Sequence, residues 1–440
     1  MRDHLRFDIL RDGPVERDLG AGQDLVTVQS RDEIVDSIRL TFTRLEVGNG
    51  DPYDSNTLPW HDGGLAVQMQ AQDASGSLIG PVSRFDDEGI TFRTESPNVR
   101  FDVRDVGFSI GLFDVAVLGS TSDDTYNFHA SREAYYVQGG FGNDRISGGS
   151  GNDYLVGGFG NDVIRGRGGE NILVGGPGDD RLIGGSGNET ALYRIGLDGS
   201  DATNLGRGND TVQVLTGGGE IRLTLSTLQI GNGSANDSGL LPGEDGGLAV
   251  RLQAEDADGN LVGPVSRFDD EGISFIGTNG ATFDIRNLPD GAIRGNGYGI
   301  ARFGSQESDR YDDSGETVNV FQNGGMGNDW LIGGSGDDHL VGLDGNDRLE
   351  GNGGDDLLVG LAGRDTFVFS GDPGHDTILT YQPGTDRIDL SAYNIGIDDV
   401  HATAIGADTI VSVDTNGDGI ADFEIFIGGS AAPLVGDYIF

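Results

Sequence analysis

The sequence predicts an all-β protein in which two short-period solenoid tracts alternate with two copies of a β-rich, sandwich-like module, closed by a C-terminal β cap. Three observations carry this expectation. A nonapeptide Gly-Gly-x-Gly-x-Asp-x-apolar-x recurs in two tracts, a much longer segment occurs twice, and no stretch sustains a capped helical period. In chain order the expected parts are a lead (1–17), a first module (18–128), a first tract (129–192), a second module (193–310), a second tract (311–368) and the cap (369–440).

The first tract reads GGFGNDRIS from Gly139, then GGSGNDYLV, GGFGNDVIR, GRGGENILV, GGPGDDRLI and GGSGNETAL. The second reads GGMGNDWLI from Gly324, then GGSGDDHLV, GLDGNDRLE, GNGGDDLLV and GLAGRDTFV. Each residue type has a physical task. Paired glycines permit a tight turn with positive φ, which a Cβ makes costly. The eighth position (Ile146, Leu155, Ile164, Leu173 and Leu182; Leu331, Leu340, Leu349, Leu358 and Phe367) belongs on a very short strand facing inward. The sixth position places a carboxylate at the turn. One buried apolar side chain per nine ordered residues does not offset the lost backbone entropy, and rows of ionised aspartates repel one another. A cation has to complete such a structure. Calcium, a hard ion that accepts roughly six to eight oxygen ligands in flexible geometry, fits best.

On these residues the chain resembles the RTX family of secreted bacterial proteins, whose nonapeptides form a parallel β-roll. The resemblance implies that two nonapeptides make one coil, so that turns eighteen residues apart (as Asp144 and Asp162 are) stack on one edge and share calcium. Asp144, Asp162 and Asp180 would then line one edge of the first tract, and Asp153 the other, where Asn171 and Glu189 depart from the pattern. In the second tract Asp329, Asp347 and Asp365 would line one edge and Asp338 and Asp356 the other. The leading glycines Gly139, Gly148, Gly157, Gly324 and Gly333 belong to the same metal turns. Several calcium ions are expected, held more completely by the second tract.

The balance of 72 acidic against 28 basic residues, a net charge of −44, argues against nucleic acid or an anionic membrane as partner. There is no cysteine and hence no disulfide. No apolar run reaches the ~20 residues of a membrane helix, so membrane insertion is not expected. The opening MRDHLRFDILRDGPVERD has no apolar leader segment. The closing Asp437-Tyr438-Ile439-Phe440 resembles the family's C-terminal export signal, which implies type I secretion machinery as a partner and an extracellular location.

The longer repeat matches Ile38–Gly50 to Ile221–Gly233, Asp62–Phe92 to Asp245–Phe275, and FDVRD at Phe101 to FDIRN at Phe283. Its apolar–polar alternation and its Gly, Asn, Asp and Pro punctuation predict a small β-sandwich or jelly-roll-like module. Phe85/Phe268, Phe92/Phe275 and Phe101/Phe283 are expected in its core.

The tail after Val368 resembles the C-terminal cap of RTX proteins, including those of serralysin proteases and epimerase R-modules. A cap has a physical reason, because an open roll end exposes apolar residues and strand edges. Within it Asp414, Asn416, Asp418 and Asp422 follow a calcium-loop spacing with Gly419 at the turn. Ile425 occupies the twelfth position, where an acid belongs, and a plain hairpin turn explains the segment as well.

None of the histidines, at 4, 61, 129, 339, 375 and 401, forms a zinc-protease motif, and no nucleophile elbow or phosphate loop occurs. RFDDEG, at Arg84–Gly89 and Arg267–Gly272, is the one acidic constellation in both modules; it reads as a turn, a calcium site or a carboxylate pair. Tyr53 and Trp60 have no aromatic counterparts at Asn236 and Gly243, so a shared sugar-stacking platform is not expected. The reading is a non-enzymatic, secreted, calcium-binding protein that folds on calcium after export, structural or adhesive at the cell surface or matrix. The alternative is a polysaccharide-acting enzyme or carbohydrate-binding accessory; either way extracellular polysaccharide or the cell surface is the partner expected of the modules.

Overall fold

The computed structural model describes residues 4–12, 16–17, 24–30, 35–44, 65–87, 90–96, 99–105, 108–194, 198–206, 210–215, 219–227, 248–255, 261–270, 273–278, 281–286, 295–305, 307–430 and 432–440. Their regular secondary structure is β-strand apart from three short 3-10 turns at Ser391–Tyr393, Ile397–Asp399 and Val435–Asp437. No helix is long and apolar enough to cross a membrane. The chain forms two compact units, Met1–Gly206 and Arg207–Phe440. Each contains a two-sheet module that leads into a parallel β-roll.

In the first unit, alternating apolar and polar residues give strands with one buried face. Ser37–Arg44 lies between Leu65–Gln72, antiparallel, and Arg100–Asp105, parallel. Leu78–Asp87 extends that sheet on one side and Phe108–Phe113 on the other. Opposite it, Asp24–Gln29 lies parallel to both His4–Asp8 and Ile90–Thr94. Val26, Val28, Ile38, Leu40, Val67, Met69 and Val103 fill the space between the sheets. Phe7, Phe85, Phe92 and Phe101 add a chain of ring contacts with centroids 6.2, 5.3 and 6.5 Å apart. Three of the expected core aromatics are therefore in place, and their counterparts Phe268, Phe275 and Phe283 are equally buried in the second unit.

The modules hand one sheet directly to the rolls. Val115–Leu118 pairs antiparallel with Ile90–Thr94 and parallel with Tyr135–Phe141, the first strand of one roll face. From there parallel strands stack at fixed register: Tyr154 opposite Ile172, Leu155 opposite Leu173, Val156 opposite Val174. The other face stacks Thr125–Asn127, Arg145–Ser147, Val163–Arg167, Arg181–Gly185 and Ala202–Gly206. The second unit repeats the scheme, Ile300–Phe303 passing from the module strand Ile273–Thr278 to the roll strand Val320–Met326. All ten eighth-position residues point inward and are at most 3% exposed.

The second roll is closed by the cap. Val400–Ile405, Asp408–Val413 and Phe423–Gly428 form an antiparallel meander whose last strand pairs parallel with the roll strand His375–Leu379. Leu340, Leu358, Ile378, Val411, Ile425 and Ile427 form one continuous apolar core, so the cap extends the roll interior. The terminal Tyr438–Ile439 pairs with Ile388 and Asp389 and covers the last strand of the opposite face.

Candidate metal centre

The sixth-position carboxylates form ladders along the roll edges. On one edge of the first roll, one carboxylate oxygen of each aspartate accepts the backbone N–H of the acid one coil earlier. Asp144 accepts from Asp124 at 2.7 Å, Asp162 from Asp144 at 2.7 Å, Asp180 from Asp162 at 2.8 Å and Asp201 from Asp180 at 3.0 Å. The second roll repeats this: Asp329 accepts from Asp309 at 2.8 Å, Asp347 from Asp329 at 2.8 Å, Asp365 from Asp347 at 3.0 Å and Asp386 from Asp365 at 3.1 Å.

The second carboxylate oxygen is different. Oδ2 of Asp144, Asp162, Asp180, Asp329, Asp347, Asp356 and Asp365 is buried and has no hydrogen-bond partner. A buried unpaired polar atom carries a desolvation cost that native proteins rarely leave uncompensated. Each of these oxygens turns back over the first glycine of its own repeat. A Cβ on Gly139 would meet both Asp144 Oδ2 and the Gly157 carbonyl of the next coil; Gly157 faces Asp162 Oδ2 and the Gly175 carbonyl in the same way. Gly324 and Gly342 stand likewise against Asp329 and Asp347 with the carbonyls of Gly342 and Gly360. Glycine is required here because its missing side chain leaves a cradle of hard oxygens.

Burial raises the proton affinity of these acids. Asp144, Asp329 and Asp365 are pushed up to about 7 and Asp180 and Asp356 to about 8, chiefly by desolvation, with neighbouring aspartates adding repulsion. Carboxylates so placed need either a proton or a cation. The donor set, carboxylate and carbonyl oxygen alone, suits calcium.

The other edges are less uniform. Asp153 and Asp338 accept from Tyr135 at 2.9 Å and Val320 at 2.7 Å, but their Oδ2 atoms also accept from Gly149 at 2.9 Å and Gly334 at 2.6 Å. In the second roll Asp356 follows, accepting from Asp338 at 2.8 Å, and then Asp376. In the first roll the following residue is Asn171. Its Oδ1 accepts from Asp153 at 2.9 Å, which leaves the amide Nδ2, a donor, over Gly166 where the other sites present an oxygen. Nδ2 donates to Glu189 Oε1 at 3.3 Å.

Asp124, Asp201, Asp309, Asp376 and Asp386 escape the sequence pattern, because they stand 20 or 21 residues from their partners and break the nonapeptide period. A signal exists in the paired segments LGSTSDD and FGSQESD: Ser120 and Ser305 each give a backbone N–H at 2.7 Å to Oδ2 of the acid four residues on, closing the ladder at its first coil. Among the described residues no three His, Asp or Glu side chains converge on a metal position. Each roll site is built from an isolated carboxylate with carbonyls.

Residues 136–164, 165–190, 323–358, 332–367 and 341–378 match the family model of the RTX calcium-binding nonapeptide repeat (four copies). The two rolls are RTX calcium-binding repeats. Calcium is thus the metal these RTX rolls bind. No curated protein matches the chain. Similar solved structures include the AlgE6R3 subunit of the mannuronan C5-epimerase from Azotobacter vinelandii, 27% identical, matched over 31% of this chain and 80% of that one with a TM-score of 0.19. Another is the extracellular lipase LipA from Serratia marcescens, 18% identical, with 71% of this chain matched and a TM-score of 0.18; this chain spans 40% of the lipase's length.

Outside the RTX rolls, Asp414, Asn416, Asp418 and Asp422 sit on the exposed loop between the last two cap strands. Asp414 accepts from Gly417 and Gly419, both at 2.7 Å, and Asp422 from the Thr415 N–H at 2.7 Å and from Asn416 Nδ2 at 2.9 Å. The loop is thereby self-satisfied, and these bonds hold the Asp414 and Asp422 carboxyls below the usual range. Arg84–Asp87 and Arg267–Asp270 are the ends of strands Leu78–Asp87 and Leu261–Asp270. The side chains of Arg84, Asp86, Asp87, Arg267, Asp269 and Asp270, and residues 88–89 and 271–272, lie outside the described residues, as do Tyr53, Trp60, Asn236 and Gly243.

Proposed function

We propose that this is a non-enzymatic, secreted, calcium-folded protein with a structural or adhesive role at a cell surface or in an extracellular matrix. The observation that carries the reading is the row of buried, unpartnered Asp Oδ2 atoms over glycine cradles along both rolls. Asp144, Asp162 and Asp180 in the first roll, and Asp329, Asp347, Asp365 and Asp356 in the second, are the proposed calcium ligands, with Asp153 and Asp338 at the ends of the opposite edges. The cap loop at Asp414–Asp422 is proposed as a weaker, independent calcium loop.

Without the ion these carboxylates disfavour the roll; with it the roll closes. Low calcium inside a cell would keep the chain export-competent, and roughly millimolar calcium outside would fold it. The C-terminal Asp437–Phe440 is the proposed export signal; in the folded protein Asp437 is buried, accepting from Gly384 at 2.9 Å and Leu434 at 2.8 Å, so it is accessible to a secretion apparatus only before folding.

The test is far-UV circular dichroism of the full chain in chelator and in millimolar calcium. The expected result is a large gain of β signal on adding calcium, and an unchanged spectrum would sink the coupled-folding part of the proposal. Turnover of a polysaccharide, lost in an Asp86→Ala, Asp269→Ala double variant, would replace the non-enzymatic reading with the catalytic one.

A further inference from the structure

The outer face of the first roll carries four arginines. Strand side chains alternate, so with Ile146, Ile164 and Leu182 inside, Arg145, Arg165 and Arg181 point outward, and Arg167, where the strand enters the turn with φ 77°, is exposed beside them. The register sets two rows across the strands. Thr125, Arg145, Val163, Arg181 and Ala202 form one, and Asn127, Ser147, Arg165, Ile183 and Asn204 the other.

Among the described residues none of these arginines makes an ion pair, in a chain with 44 excess acids. Arg181 Nε is buried without a hydrogen-bond partner. Arg167 Nε donates to Ser147 Oγ at 2.5 Å, a neutral acceptor. Arg165 has its proton affinity lowered, by burial first and then by Arg181, Arg167 and Arg145; the charges that act on it are other arginines. Such a cluster costs stability in the free protein and calls for an anion.

We propose that this face binds an acidic polysaccharide through its carboxylates. Guanidinium forks recognise carboxylates bidentately, and three successive strands, spaced about 4.8 Å apart, each carry one arginine of the two rows, Arg145 and Arg181 in one and Arg165 between them in the other, so a linear polymer lying across the strands meets a guanidinium at each of three coils. Thr125, Asn127 and Asn204, neutral hydrogen-bonding side chains, flank the arginines and suit sugar hydroxyls. A second protein surface would want a continuous apolar centre, and single-stranded nucleic acid would want exposed aromatics between the cations; here each apolar member of the rows, Val163, Ile183 and Ala202, stands beside an arginine, and no aromatic stands in either row. The inference rests on the proposed extracellular role.

The test uses the full chain in millimolar calcium with hyaluronan as the carboxylated probe, dextran sulfate as the sulfated one and dextran as the neutral one. Hyaluronan should bind, weaken as salt is raised, and lose at least about tenfold in affinity in an Arg145→Gln, Arg165→Gln, Arg167→Gln, Arg181→Gln variant. An Arg310→Gln, Arg348→Gln control in the second roll should bind as the parent does. Absent hyaluronan binding, equal binding of dextran, preference for dextran sulfate alone, or an unaffected quadruple variant would each overturn the proposal. If the quadruple variant does not fold in calcium, Arg165→Gln alone replaces it, with a smaller loss expected. Normal folding in calcium without binding defeats this inference only; failure to fold in calcium defeats the proposed function.

Discussion

The two rolls share one repeat and differ in how they settle their charges. On the outer face of the second roll each arginine has an acid: Arg310 with Asp312 at 2.8 Å, Arg348 with Asp389 at 3.2 Å, Arg387 with Asp437 at 3.3 Å, and Arg310 also stacks over Trp330 at 3.6 Å. The corresponding face of the first roll leaves its arginines unpaired. On the edges the contrast reverses, the second roll keeping Asp356 where the first has Asn171. One roll therefore carries the more complete row of carboxylates and the other the more available surface. The nonapeptide fixes the coil and leaves its outward positions free to diverge.

The largest expected effect follows from the buried acids. Their folded-state proton affinities lie above the ordinary carboxylate value of 3.8, so in the metal-free protein they favour folding below about pH 4 and this contribution is lost as pH rises through about 6 to 8. Each tenfold rise in proton affinity on folding corresponds to about 1.4 kcal/mol, and many such groups act together. In chelator the β signal should therefore grow on acidification from pH 8 to pH 5, whereas in calcium it should stay high across that range. Hydrogen exchange in chelator should find the Asp338–Asp356–Asp376 edge opening before the Asn171 edge as pH is raised from 5, since it holds more buried charge. Equal opening of the two edges would mean that charge does not set the order.

The junctions of module and roll form a second contrast. In the second unit Arg302 Nε donates to Asp313 at 2.7 Å, Gln322 donates to the same carboxylate at 2.7 Å and to the Ile332 carbonyl at 2.8 Å, and Arg302 also reaches Ser274 at 3.1 Å. The matching residues of the first unit are Val117, Phe128 and Val137. Arg302→Ala leaves Asp313 buried without its countercharge, the neutral Gln322 amide its remaining partner, and should cost roughly 3–5 kcal/mol. Transplanting the apolar trio as Arg302→Val, Asp313→Phe, Gln322→Val should cost much less. Calcium-saturated thermal melts distinguish the two, and a triple variant as damaged as Arg302→Ala would show that the network does more than satisfy itself.

Much of this architecture is legible in the chain because glycine, aspartate and apolar residues recur at a fixed interval. The interval alone places Leu155 and Leu340 inside and Asp162 and Asp347 on edges. It misses Asp124, Asp201, Asp309, Asp376 and Asp386, where two or three inserted residues change the spacing without breaking the ladder. The arginine face is not legible either: Arg145, Arg165 and Arg181 occupy the seventh, ninth and seventh positions of different repeats, and only strand register brings them together. Module pairing depends on contacts between distant segments, such as Ser37–Arg44 with Arg100–Asp105, which no local pattern specifies.

A more modest effect is expected where the rolls differ by one atom type. Asn171→Asp replaces the amide over Gly166 with a carboxylate oxygen, and Asp356→Asn makes the opposite change in the second roll. The first should add a calcium site and the second remove one, each shifting the local calcium midpoint by about tenfold, or about 1.4 kcal/mol. Calcium titration followed by resonances of the edge amides reads both. Should Asn171→Asp leave the stoichiometry unchanged, Glu189 rather than Asn171 is what limits that edge.

The smallest effect concerns the second position of the repeat. Gly140, Gly158 and Gly176 in the first roll and Gly325 in the second hold positive φ there, and so do Leu343 and Leu361, at 78° and 74°. A side chain in this region costs about 1–2 kcal/mol. Leu343 and Leu361 stand in register as neighbours on adjacent strands, so mutual packing recovers part of that cost. Glycine at both sites would relieve the strain but give up the packing and restore freedom to the unfolded chain, worth about 0.4–1 kcal/mol per residue. The Leu343→Gly, Leu361→Gly variant should therefore melt slightly higher than the parent in saturating calcium, by about 1 kcal/mol or less. A clear destabilisation would mean that the leucine pair holds adjacent coils together where the first roll relies on glycine turns.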